Sequence, residues 1–73
     1  MSQVVTIDAR GLSCPQPAML ANQAVKKAIG GTIEILVDSG TARDNVSRAG
    51  AHAGWMVTVE DQLDGSYRVL FTK

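Results

Sequence analysis

The stretch Asp8-Ala9-Arg10-Gly11-Leu12-Ser13-Cys14-Pro15-Gln16-Pro17 holds the only cysteine of the chain, with prolines one and three residues after it. A thiol does its chemistry as the thiolate, a nucleophile whose availability follows its pKa. Proline suits the first turn of a helix, where its missing N–H would go unpaired anyway, so Pro15 and Pro17 both fit a helix opening and place Cys14 at the N-cap. Backbone donors and the positive end of the helix dipole favour the anion there, and thiols so placed have pKa values of roughly 3.5–7.5. Arg10 stands four residues upstream, either as a solvated charge or as a stabiliser of the anion. The competing reading of Cys14 is a small buried apolar side chain, because serine and asparagine cap helices far more often than cysteine does. The local physics leaves both open.

Neighbouring residues divide into those that shape such a site and those that face partners. Asp8 ends a strand and is expected to accept backbone N–H bonds, since a carboxylate beside a thiolate would oppose ionisation. Gly11 supplies either a backbone conformation closed to side chains or room for a close approach. Met19 falls in the polar arc of the first helix, about one turn beyond Cys14, as a partner contact or as an isolated exposed side chain. Arg43 sits in the first turn of the second helix, where the dipole does not favour a cation, which marks it as a partner contact. His52, near the end of that helix, is explained by the dipole and solvent. One cysteine and one histidine make no metal site, and no cofactor is expected.

The elements that must position these residues are legible from periodicity. Segments 3–8, 32–37, 55–60 and 67–72 alternate, with Val5 and Ile7, Ile33, Ile35 and Val37, and Tyr67, Val69 and Phe71 each sharing one face of their strand, and Trp55, Val57 and Val59 on the core face. Asp64-Gly65 signals a hairpin between the last two strands. Segment 15–29 carries Pro17, Leu20, Ala21, Ala24, Val25 and Ala28 in one arc and ends at Gly30-Gly31, a helix with a glycine stop. Segment 41–54 predicts a second helix with Thr41 as N-cap, Asp44 completing a capping box, Ala42, Val46, Ala49 and Ala53 inward, and Gly50 as a weak point. The order β-α-β-α-β-β predicts an α+β two-layer sandwich, a mixed four-stranded sheet with two helices on one face. A parallel second strand brings the segment Asp38 to Arg43 to the same edge as the cysteine loop.

At 73 residues the chain is read as a single domain, 1–73, and as a monomer. Its hydrophobic fraction of 45% is that of a folded globule, and its zero net charge argues against direct nucleic-acid binding. The N-terminal residues show no leader and no segment approaches membrane-spanning length, so a cytoplasmic protein with a reduced thiol is expected.

Asp8, Gly11, Leu12, Cys14, Pro15 and Pro17 together resemble the signature of the TusA/SirA family of small sulfur carriers. The likeness extends over the chain through Gly30-Gly31, the segment from Val37 to Val46, and Gly54. It implies the same β-α-β-α-β-β fold, with Leu12, Pro15 and Pro17 shaping the site. It implies that Cys14 accepts sulfane sulfur as a persulfide from a cysteine desulfurase or rhodanese-like donor and relays it to an acceptor sulfurtransferase. The family serves tRNA thiolation, sulfur oxidation and related sulfur or selenium metabolism; the segment from Ser39 to Asn45 is unlike the more acidic and apolar one of the tRNA-thiolation branch. The alternative function is a redox-responsive regulatory module using Cys14, which the absence of a resolving cysteine disfavours.

Overall fold

Alternation builds the two central strands, while on the edge strands Val5 and Val59 are exposed, Val59 against the expectation of a core position. In the computed structural model, which describes residues 4–12, 16–28 and 30–73, the elements are β1 (Val4–Asp8), α1 (Gln16–Lys27), β2 (Thr32–Val37), α2 (Gly40–His52), β3 (Met56–Asp61) and β4 (Tyr67–Thr72). The strand order is β1-β2-β4-β3. β1 runs parallel to β2 with Val5 opposite Ile33 and Ile7 opposite Ile35, while β4 pairs antiparallel with both β2 and β3. Ile33, Ile35, Val37, Val69 and Phe71 are fully buried on the inner face, joined from the helices by Ala21, Ala42 and Val46. Both helices therefore cover one face, and the other stays open, the expected α+β sandwich. Burial of a side chain the size of Phe71 contributes about 1.5–3 kcal/mol. No helix among the described residues is long and apolar enough to cross a membrane.

β2 and β3 both oppose β4, so they are parallel to each other and α2 is a second crossover like α1. Both helices therefore start from the edge where β1, β2 and β3 end, and the β3–β4 hairpin turns there too. α1 presents Pro17 and Ala21 as its buried positions, with Leu20, Ala24, Val25 and Ala28 partly buried beside them. Of the expected helical span 15–29, Pro15 and Ile29 lie outside the described residues.

α2 departs from the sequence expectation at both ends. Its N-cap is Ser39, not Thr41: Ser39 is extended (φ −142°, ψ 153°) and its hydroxyl accepts from the Ala42 N–H at 3.1 Å. β2 delivers the chain to Ser39 already in the geometry a cap requires, so the helix starts before Thr41, and Asp44 turns to Arg43 instead of closing a capping box. At the other end Gly54 (φ 88°) closes a Schellman turn, in which the Trp55 N–H donates to Gly50 C=O and the Gly54 N–H to Ala51 C=O, both at 3.0 Å. That turn leaves Ala53 exposed, not inward as expected.

Gly50 is the further revision. It is buried, and a Cβ there would lie 2.4–2.7 Å from ring atoms of Phe71. The residue costs helix propensity but lets α2 approach the sheet closely.

Candidate functional site at the carboxyl edge of the sheet

Ser13, Cys14 and Pro15, on which the expected nucleophile and its first proline fall, lie outside the described residues. Their setting is defined on both sides. Upstream, every backbone N–H from Ala9 to Leu12 has a partner. Ala9 donates to Leu36 C=O at 2.8 Å, Arg10 to Asp8 Oδ1 at 3.1 Å, Gly11 to Asp38 Oδ2 at 2.7 Å and Leu12 to Ala9 C=O at 3.4 Å. Gly11 has φ 81°, and a Cβ there would meet nothing within 4 Å. Of the two roles open to Gly11, the structure favours conformation over close approach.

Asp8 and Arg10 form a fork. Arg10 Nε donates to Asp8 Oδ1 and its terminal nitrogen to Asp8 Oδ2, each at 2.9 Å. The Arg10 side chain, helped by the Arg10 backbone N–H, holds the Asp8 carboxyl down at about 2. The same carboxylate raises the Arg10 pKa further. The guanidinium also reaches to 3.9 Å from Asp64 Oδ2 in the hairpin. Asp64 accepts from the Ser66 hydroxyl at 2.6 Å and the Ser66 N–H at 3.0 Å, which lowers its pKa. The turn is closed by Gln62 N–H to Ser66 C=O at 2.9 Å, with Gly65 at φ 89° as the sequence signal required. Arg10 is thus engaged with carboxylates at the end of β1 and in the hairpin turn.

Downstream, Pro17 is buried in the first turn of α1 and anchors that turn to the core. Leu12 (38% exposed) and Met19 (52% exposed) are apolar side chains left at the surface, and with Gln16, Leu20 and Gln23 they line a shallow groove of about 190 Å³. Gln16, Met19, Leu20 and Gln23 have the spacing of one helical stripe, so the groove runs from the cysteine loop along α1. Arg43 is placed elsewhere on the edge. Its Nε donates to Asp44 at 3.0 Å, which with the Asp44 charge raises its pKa, and its guanidinium lies 4.7 Å from the centre of the Tyr67 ring on β4.

Asp38 and Asp64 are the site-edge residues that residue-by-residue reading did not single out. A signal for Asp38 existed: it follows the last residue of a strand parallel to β1, on the edge where the glycine-bearing loop begins. Nothing local in the sequence announces that its partner is Gly11, 27 residues away. No group of His, Cys, Asp and Glu able to hold a metal occurs among the described residues.

A model of the sulfurtransferase TusA family matches residues 5–73. Among solved structures, the chain is similar to the crystal structure of a SirA-like protein from Desulfitobacterium hafniense, at 28% identity and a TM-score of 0.86, with 96% of each chain covered. No curated protein matches the chain.

Proposed function

The chain belongs to the TusA sulfurtransferase family, and from that premise we propose that it is a cytoplasmic, single-domain sulfur carrier that holds sulfane sulfur as a persulfide on Cys14 and relays it between proteins. The supporting observation is the fixed loop ahead of the cysteine, followed by a surface groove carrying Leu12 and Met19. A relay nucleophile needs an ordered approach and a place for a large partner, more than it needs a pocket.

In the loading step the Cys14 thiolate attacks the terminal sulfur of a donor cysteine persulfide. The donor S–S bond breaks, a new S–S bond forms on Cys14, and the electron pair leaves on the donor cysteine thiolate. In unloading, an acceptor thiolate attacks the same terminal sulfur and Cys14 leaves as its thiolate. Each step exchanges one S–S bond for another, so neither needs an external oxidant. The donor in this reading is a cysteine desulfurase or rhodanese-like protein, and the acceptor is another sulfurtransferase.

In this reading each site residue has a role. Asp8 and Arg10 brace the loop, Gly11 turns it, and Leu12, Pro15 and Pro17 shape the approach to Cys14. Met19 contacts the partner along the groove. Arg43, on the hairpin side, contacts a partner broad enough to span the edge.

The unloading half provides the test. Protein loaded with radiolabelled sulfur and desalted is expected to pass the label to an acceptor protein thiol and regain a free Cys14. Label that remains bound, or Cys14→Ser protein carrying as much label, would argue against a relay.

A further inference from the structure

Resting on the carrier reading, we propose that Asp38 is a positioning residue for Cys14, its carboxylate setting the loop from β1 to α1 in the path that presents the sulfur. The observations are local and specific. The Gly11 N–H donates to Asp38 Oδ2 at 2.7 Å, a short charge-assisted bond between residues 27 apart. The other N–H groups of residues 9–12 go to the β2 backbone or to acceptors within the loop itself. The bond to Asp38 is therefore, among these four, the one that ties the loop by a side chain to the connection between β2 and α2.

That connection is a firm anchor. Asp38 follows the fully buried Val37 and precedes Ser39, the capped start of α2. Gly11 stands in the left-handed region at φ 81° with open space around it, so its glycine serves the turn and not a tight fit. The amide made available by that turn is the one Asp38 takes. Cys14 is the third residue after Gly11, a reach of at most about 10 Å, so the direction of the chain at Gly11 limits where the thiol can stand.

The charge of Asp38 does nothing to favour a thiolate; its value lies in the acceptor it offers. This separates two substitutions. Asp38→Asn keeps a carbonyl acceptor and loses the charge, whereas Asp38→Ala loses both. Gly11→Ala perturbs the same turn from the other partner, by strain at positive φ without a clash.

The test measures the rate of sulfur loading from a cysteine desulfurase, the rate–pH profile of Cys14 alkylation, and hydrogen exchange of the Gly11 amide. Asp38→Ala is expected to load about tenfold or more slowly, as small misplacements of a reacting group do, while thermal unfolding shows the fold retained. Asp38→Asn is expected to recover most of that rate. The alkylation profiles of the two variants should share one midpoint, since both lack the charge, with the plateau rate lower in Asp38→Ala. Gly11 exchange should quicken in Asp38→Ala and remain slow in Asp38→Asn. The Gly11→Ala/Asp38→Ala protein should load no more slowly than the worse single variant, the signature of one shared contact. Wild-type loading in Asp38→Ala, equal loss in Asn and Ala, or additive losses in the double variant would each overturn the assignment. A wild-type protein that accepts no sulfur would refute the carrier reading instead. The positioning claim would then be judged by the rate of Cys14 exchange with a small aromatic disulfide, which should fall in Asp38→Ala and recover in Asp38→Asn; no change would refute it.

Discussion

The two helices start from the same edge of the sheet, yet their approaches are built differently. α2 is closed by its own neighbours: the Ser39 hydroxyl satisfies its first turn and Gly54 completes a Schellman turn at its end. The approach to α1 is held by residues from elsewhere. Asp38 at the end of β2 takes the Gly11 N–H, and Arg10 links Asp8 to the hairpin residue Asp64. In the sequence, Ser13-Cys14-Pro15 precedes α1, whereas Asp38-Ser39 precedes α2. α2 caps itself with residues of its own connection. In the proposed carrier, bracing from the surrounding loops would leave the residues nearest Cys14 available for the chemistry.

The largest expected effect falls on α2 and concerns stability. Gly50→Leu drives a side chain into the Phe71 ring, and overpacking of this kind costs about 1–3 kcal/mol, occasionally more. Urea unfolding should show the loss, with native protein below the midpoint still accepting sulfur on Cys14. Ser39→Ala removes the cap and should cost about 1 kcal/mol, again read by urea unfolding. It should leave sulfur loading within about twofold, in contrast to Asp38→Ala one residue earlier. A loading defect in Ser39→Ala as large as that of Asp38→Ala would erase the distinction between the two approaches.

On the α1 side, Met19→Asp puts a charge into the groove beside Leu12. Loading from a donor protein should slow about five- to tenfold, the effect of losing a contact worth somewhat more than 1 kcal/mol, with alkylation by small reagents unchanged. Equal slowing of both reactions would assign Met19 to the chemistry or the fold.

The smallest effect is in pH. Asp8 titrates near 2 in the folded protein against an ordinary 3.8, so its pairing with Arg10 contributes stability that is fully present above about 4. That contribution is lost as pH falls through about 2. Asp8→Asn should remove this part of the acid dependence, and a stability profile between pH 4 and 2 identical to wild type would show that the exposed fork contributes nothing measurable.

Much of this was legible in the sequence because it depends on neighbours in the chain. The alternation of Ile33, Ile35 and Val37 specified the buried face of β2, and Asp64-Gly65 specified the hairpin. Asp8, expected to accept a backbone N–H, takes that of Arg10, whereas its side-chain fork with Arg10 was not foreseen; Met19 fell at the surface as its helical angle required. What escaped depends on distance through space. Gly50 reads as a helix fault until Phe71, 21 residues on, is seen beside it. Thr41 had the better capping-box spacing, but β2 delivers Ser39 to the cap geometry first. The Asp38–Gly11 contact follows from the parallel register of β1 and β2, which periodicity suggests but cannot align to the residue.

The central claim is that Cys14, at this braced approach, carries sulfur, and intact-protein mass spectrometry tests it most directly. Incubated with a cysteine desulfurase, cysteine and the cofactor that enzyme requires, the wild-type chain should gain the mass of one sulfur atom, and a thiol reductant should remove it, since a persulfide is reversed by thiols and a sulfinic acid is not. Cys14→Ser should keep its starting mass; an equal gain in that variant, or no gain in the wild type with any of several donors, would contradict the account.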